Sequence, residues 1–172
     1  MKDSFFSNEI NNKFIDDFSK NTKEQINFLS ETIDDFRDFF NPNKQKVVFE
    51  IKSAIEKSLK FMGNQFEINR VKVNIEYKDE KVYGIEIELE QVILNILNNS
   101  MDAFKERERE NKEINIKVLS KQSYTILIME DNAGGVKEES LEKIFDPYYT
   151  TKSTGTGTGL YMVKLVVKNS LQ

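Results

Sequence analysis

This chain of 172 residues contains no cysteine, no histidine and no tryptophan, and only two prolines. Without cysteine there is no disulfide and no thiolate metal site. Without histidine the commonest metal ligand and the commonest general base are both missing, so a bound metal must be held by oxygen. No stretch is apolar for the roughly 18 residues a membrane span needs. Met1 to Asn12 is polar and carries Asp3 and Glu9, so it does not read as a signal peptide. A cytoplasmic protein, or the cytoplasmic part of a larger one, is the plain reading, with no membrane contact by this chain. The net charge of -4 makes nucleic acid and anionic membrane poor partners. Hydrophobic content of 38%, with 11% aromatic residues, excludes disorder. The length suits one domain with an appendage and is enough to bury a core.

Residues 1 to 40 hold neither glycine nor proline. Apolar residues recur there at helical spacing: Ile10, Phe14, Phe18, Ile26, Leu29, Ile33, Phe36 and Phe40. The later steps alternate three and four, as in a coiled-coil seam, and predict one long helix stopped near Asn41-Pro42. Its other faces are polar, so the stripe is covered either by its own domain or by a second copy in a homodimer.

Beyond the helix, residues 47–51 read as a short strand. A helix over 51–67 has Ile51, Ile55, Leu59, Met62 and Phe66 on one side. Val71, Val73, Ile75 and Tyr77 alternate with polar residues and predict a strand with one wet face. Residues 81–84 read as its partner across Asp79-Glu80. A long helix is expected over 86–108, then strands over 113–120 and 124–130. The second of these is apolar on both faces and reads as central. A glycine loop, a short helix near 137–144, a second glycine loop and a last helix from about Gly157 follow. This order suits an α+β fold, a mixed sheet with helices on one face.

Three constellations carry chemistry. On the 86–108 helix, Asn95, Asn99 and Asp102 fall within about 60° of one another, opposite Ile93, Leu97 and Phe104. That face is either solvent-facing or has a task. Asparagine is a poor helix former, and side-chain carbonyl oxygens suit a hard cation such as Mg²⁺. At the end of the most apolar strand stands Asp131-Asn132-Ala133-Gly134-Gly135-Val136. Asp131 can either accept a hydrogen bond from a ligand amino group or make a local Asx turn. Gly155-Thr156-Gly157-Thr158-Gly159-Leu160 runs into a helix and forms a phosphate cradle of successive backbone N–H groups. Between the loops, 145–153 reads as a lid from which Lys152 reaches a terminal phosphate, or as a plain exposed loop.

In order and spacing these pieces resemble the sensor histidine kinases of two-component systems. QVILNILNNSMDA at 91–103 is similar to the N box, DNAGGV at 131–136 to the first glycine box, FDPYYTTK at 145–152 to the F box and GTGTGLYMVK at 155–164 to the second glycine box. FLSETIDDFRDFFNP at 28–42 resembles the end of the kinase dimerisation region. The resemblance implies the two-layer α/β sandwich of the GHKL ATP-binding type, preceded by the long N-terminal helix. It implies a boundary near residue 42, with dimerisation helix 1–42 and ATP-binding domain 43–172. It implies ATP and Mg²⁺ as ligands. Asn99 would hold the metal, with Asn95 beside it. Asp131 would read the adenine amino group, and Gly155, Thr156, Gly157, Thr158, Gly159 and Leu160 would wrap the phosphates. Asp102, Gly135, Val136, Ile144 and Thr154 would line the pocket. Relatives that hydrolyse ATP carry a glutamate where Asn95 stands. An amide takes no proton at neutral pH, which favours phosphoryl transfer to a protein acceptor over hydrolysis. Asn95 and Lys152 are then the candidates for acting at the transferred group.

Three departures stand out. Ala133 replaces the first glycine of its box. The phosphoacceptor histidine is absent, so it lies on another segment or chain, and a response regulator is the implied downstream partner. The chain also stops at Gln172, where the family continues into further strands, so it reads as a piece of a bacterial sensor lacking those strands. The alternatives are a serine kinase of the anti-sigma type, which lacks a long dimerisation helix, and a dimerising scaffold on a degenerate ATP fold.

Overall fold

The computed structural model describes Ile15, Phe18, Ser19, Thr22 and residues 45–107, 109–122, 124–152 and 155–170. The chain divides into two units, Met1–Pro42 and Asn43–Gln172. In the first, Ile15, Phe18, Ser19 and Thr22 are helical, and the seam residue Phe18 is exposed. The rest of the expected N-terminal helix and its seam lie outside the described residues. Among the described residues, no helix is long and apolar enough to cross a membrane.

The second unit runs β1 (Val47–Glu50), α1 (Ile51–Asn69), β2 (Val71–Glu76), β3 (Lys81–Gly84), α2 (Glu86–Arg107), β4 (Lys112–Lys121), β5 (Tyr124–Asp131), α3 (Glu138–Leu141) and α4 (Gly159–Ser170). The expected elements are all present, with ends moved by a few residues. The last helix starts at Gly159 rather than Gly157, and the short helix closes at Leu141 in a turn that carries on to Ile144. Helix α1 ends where Arg70 takes a left-handed conformation (φ 54°) and its N–H turns back to the carbonyls of Phe66 and Glu67. That is a helix C-cap built without glycine.

Two pairings differ from the sequence reading. β3 does not pair with β2. It pairs antiparallel with β1, Phe49 opposite Val82 and Val48 opposite Tyr83, in a separate two-stranded sheet. Phe49 is buried, and its burial ties this small sheet to the core. Among the described residues β5 is also not central. The larger sheet has the order β2-β4-β5, with β2 parallel and β5 antiparallel to β4, so β4 is the middle strand. The apolar run of β5 is half-buried throughout 125–129 rather than enclosed. Its two-sided hydrophobicity has another origin. Leu127 and Met129 pack against the core, while Ile126 stands beside Leu119 on the opposite face.

Among the described residues the mixed sheet carries helices on one face, and the register shows why. Ile114, Ile116 and Val118 of β4 are at most 2% exposed and meet the apolar sides of α1 and α2. Of the alternate positions, Asn115 and Lys117 are polar and pair across to β2, while Leu119 lies beyond them next to Ile126. Asn74 donates to Asn115 at 2.9 Å, and Lys117 reaches Glu76 at 2.9 Å. A strand has a side-chain period of two, so this alternation assigns one face to the core and one to water.

Helix α2 is the spine of the unit. Ile93, Leu97, Met101 and Phe104 are at most 1% exposed, on the side predicted to face inward. It packs against both α1 and α4. The α1–α2 seam is pinned by Ser58, whose hydroxyl reaches the Glu90 carbonyl at 3.4 Å, and by Lys57, which bridges Glu86 at 2.8 Å and Glu90 at 3.3 Å. The Lys57 ammonium and then Ser53 hold the Glu86 carboxyl below its ordinary pKa.

Leu97→Ala removes a fully buried side chain and should lower unfolding free energy by about 2–5 kcal/mol, read from the urea midpoint at unchanged slope. Glu86 has a lowered pKa in the folded chain. Its contribution is therefore complete above the ordinary carboxylate pKa and fades as pH falls through the lowered value. Glu86→Gln should flatten that part of the acid limb in a stability-versus-pH titration; an unchanged limb would remove Glu86 from it.

Candidate nucleotide-binding site

Every candidate residue near α2 is placed by the rotation of that helix about its axis. With Leu97 and Phe104 turned into the core, Asn95, Asn99 and Asp102 emerge half-buried on the other side. Asn98, the third asparagine, is exposed.

Asn95 donates through Nδ2 to the Gln91 carbonyl one turn back at 3.1 Å. This leaves its Oδ1 facing the start of α4. A Cβ placed on Gly159 would stand 3.0 Å from that oxygen, so a side chain there would crowd it. Asn99 and Asp102 converge on one cation, the Lys152 ammonium, at 3.0 Å from Asn99 Oδ1 and 2.8 Å from Asp102 Oδ2. The segment that carries Lys152 and the asparagine face therefore meet.

Asp131 reaches the same helix from the sheet. It lies opposite Ile114 in the β4–β5 register and so points to the helix side. Ser100 Oγ donates to its Oδ2 at 2.7 Å, and the Ala133 N–H donates to its Oδ1 at 2.9 Å. The second bond is the Asx turn that the sequence left open. It does not exclude the binding reading, because an ionised carboxylate has about four acceptor positions. Ser100 was missed from the sequence, although it sits between Asn99 and Met101 on the same helix; a small hydroxyl residue one step past the asparagines was the available signal. Arg107 was missed as well. Its guanidinium donates to the Ala133 carbonyl at 2.8 Å and fastens the first glycine loop to the end of α2. Ala133 itself is 1% exposed and belongs to the core, so its methyl fills space rather than blocking the loop.

The second glycine loop has its own internal order. Thr156 and Thr158 share a hydrogen bond at 2.6 Å between their hydroxyls, and Thr156 Oγ1 accepts the Thr158 N–H at 3.0 Å. The Thr158 carbonyl accepts the N–H of Met162 at 2.9 Å, which makes Thr158 the residue that opens α4. The first-turn amides, Gly159 to Tyr161, have no acceptor within the helix. They present donors and the positive end of the helix dipole, the arrangement that receives phosphate. Gly157 takes φ 66°, and a Cβ on it would collide with the backbone of Tyr148. Tyr148 also has a left-handed backbone (φ 66°), uncommon for an aromatic residue. The turn at Tyr148 and the glycine loop thus fit together through two positive-φ residues.

The remaining candidates are less tightly gathered. Gly135 (φ 72°) and Val136 are exposed on the first loop, and Ile144 is half-buried with its N–H on the Ser140 carbonyl at 3.0 Å. Leu160 is half-buried in the first turn of α4, and Gly155 donates to the Lys152 carbonyl at 3.4 Å. Thr154 lies outside the described residues. Among the described residues, no cluster of three acidic side chains could hold a metal unaided. Asn99 and Asp102 supply two hard oxygen donors. That fits Mg²⁺, which keeps waters and shares one or two protein oxygens with substrate phosphates.

A helix with a polar face, an acid at the end of the adjoining strand and a glycine loop opening a second helix define a nucleotide-binding α+β domain. Residues 84–172 match the family described as histidine kinase-, DNA gyrase B- and HSP90-like ATPase, and the chain belongs to that family. Among curated relatives, sporulation kinase B of Bacillus subtilis is 25% identical over 169 residues, covering 96% of this chain and 38% of that protein. The two-component sensor PprA of Pseudomonas aeruginosa is 31% identical over 117 residues, 65% of this chain and 13% of that protein. The chain thus spans well under half the length of these relatives. The fold is that of the catalytic domain of histidine kinase ThkA, with TM-score 0.65 at 23% identity over 73% of this chain and 81% of that one. It is likewise similar to the Acinetobacter baumannii histidine kinase AdeS, with TM-score 0.67 at 20% identity over 92% of this chain and 74% of that one.

Gly157→Ala should destabilise the domain by about 1–3 kcal/mol, because the new methyl meets both an unfavourable φ and the Tyr148 backbone. Thermal unfolding reads this directly, and a melting temperature equal to wild type would mean the loop relaxes without cost.

Proposed function

We propose that this chain binds Mg-ATP and serves as the phosphoryl-donor domain of a sensor histidine kinase, with the accepting histidine outside this chain. The observation that carries the reading is the convergence on α2. Asn95 faces the second glycine loop, Asn99 and Asp102 face the lid, and Ser100 orients the acid of the first loop. The family match supports ATP as the ligand.

Asp131 accepts the adenine amino group, held in place by Ser100 and the Ala133 N–H. The amides at the start of α4 and the loop 155–159 hold the phosphates. Bound Mg²⁺ would neutralise charge on the phosphate oxygens, and Asn99, with Asp102 beside it, is the residue to hold it. Lys152 brings positive charge toward the terminal phosphate from the lid. Asn95 occupies the place from which a carboxylate would activate water, and an amide cannot do so. The residues of this chain therefore position and stabilise, and the nucleophile comes from elsewhere. With no histidine in the sequence, the chain does not phosphorylate itself on histidine.

The same proposal includes the dimerisation segment 1–42, supported by its apolar seam, and the ATP-binding domain 43–172. It also includes a cytoplasmic location and a response regulator as the eventual acceptor. The names of the relatives, sporulation kinase B and the two-component sensor PprA, support that setting.

Calorimetry with ATP should give a Kd between about 10 μM and 1 mM, roughly -7 to -4 kcal/mol, with dependence on Mg²⁺. Asn99→Ala should weaken Mg-ATP more than metal-free ATP, and equal loss in both would argue against the metal role. Asp131→Asn should lose the preference for ATP over GTP; a preserved preference would move the base pocket elsewhere.

A further inference from the structure

Asp102 faces two ammonium groups of different kinds. Lys105 lies 3.8 Å from Oδ1, three residues along the same helix, and is largely exposed. This is an ordinary surface pair. Lys152 comes from the lid, 50 positions away in sequence, and lies 2.8 Å from Oδ2 with its side chain 27% exposed. It also lies 3.0 Å from Asn99 Oδ1. Its ammonium thus sits on the Asn99 oxygen that the proposed function gives to a divalent cation and on the Asp102 oxygen beside it.

The chemistry of the two cations matches. An ammonium is compact, strongly hydrated and a donor only, so it seeks the same hard oxygens as Mg²⁺. They cannot occupy the place together. Mg²⁺ binds its oxygen ligands at about 2.0–2.1 Å, and an ammonium still hydrogen-bonded to the same amide oxygen would face a divalent charge at close range.

We propose that Lys152 is a tethered stand-in for the divalent cation: it holds the Asn99 and Asp102 oxygens in the nucleotide-free chain, and the arriving metal-nucleotide displaces it. Metal entry and release of the lid from α2 then become one event, because Lys152 belongs to the lid. In the nucleotide-free state Lys152 is a positioning residue, keeping two oxygens together that would otherwise be free to change rotamer. Once displaced, its ammonium is available to the terminal phosphate of ATP, which ADP lacks. The inference rests on the metal role of Asn99 and adds a competitor for it.

The sign of one measurement separates this role from a simple phosphate contact. Mg-ADP binding is measured by calorimetry on the full chain, on Lys152→Met and on Lys105→Met. Removing the competitor should tighten Mg-ADP binding by about five-fold in Lys152→Met, within the usual range for coupled binding events. Lys105→Met, which removes an equal charge from the same carboxylate, should not tighten it. A lysine that only contacts phosphate gives weaker binding on removal, so unchanged or weakened Mg-ADP affinity in Lys152→Met overturns the proposal. If neither ADP nor ATP binds any of these chains, the nucleotide reading itself fails and the proposal falls with it.

A second measurement requires no ligand. Reductive methylation of the nucleotide-free chain, followed by mass spectrometry, should modify Lys152 severalfold faster in Asp102→Asn than in wild type, with Lys168 as the internal reference. Equal rates would show that Lys152 does not rest on Asp102 in solution, and that too overturns the proposal.

Discussion

The burial of one side of α2 is the constraint on which the rest of the site depends. Successive residues on a helix differ by about 100°, so fixing Ile93, Leu97, Met101 and Phe104 in the core fixes the direction of every other side chain on that helix. Asn95 faces Gly159, Asn99 and Asp102 share Lys152, Ser100 meets Asp131, and Arg107 meets the Ala133 carbonyl. Their geometry is inherited from apolar packing, which is worth far more than any exposed hydrogen bond.

The sheet contributes the second coordinate. β4 is the middle strand, and its register with β5 sets Asp131 opposite Ile114, on the helix side. A slip by one residue would turn Asp131 away from Ser100. The polar ladder of Asn74 with Asn115 and Glu76 with Lys117 fixes which face of β4 meets the helices, since turning β4 over would bury these side chains.

Much of this was legible in the sequence. The helical period of α2 is unambiguous, because its apolar and asparagine faces are chemically distinct. The glycines marked both loops, since few other residues tolerate the conformations seen at Gly135 and Gly157. Strand pairing was less legible. β3 is four residues long, and proximity to β2 in the chain suggested the wrong partner, whereas Phe49 and Val82 bring it to β1. β5 looked central because both of its faces are apolar, and composition alone does not distinguish an enclosed strand from an edge strand with an apolar outer face. Ser100 and Arg107 act through hydrogen bonds to Asp131 and to the Ala133 carbonyl, and such partners have no periodic signature.

Parallel pairing of β2 with β4 has a kinetic side. The two strands join residues 41 positions apart, such as Asn74 and Asn115, and α2 lies within the intervening segment. The helix that bears the site is therefore part of the connection that must close before the ladder forms. Long-range pairings of this kind form late and slowly, because the entropy of closing the loop is lost before the contacts are made. The site residues of α2 share one local element, but the sheet against which that helix packs is completed only by the long-range ladder. The nucleotide site comes into existence with the completed core.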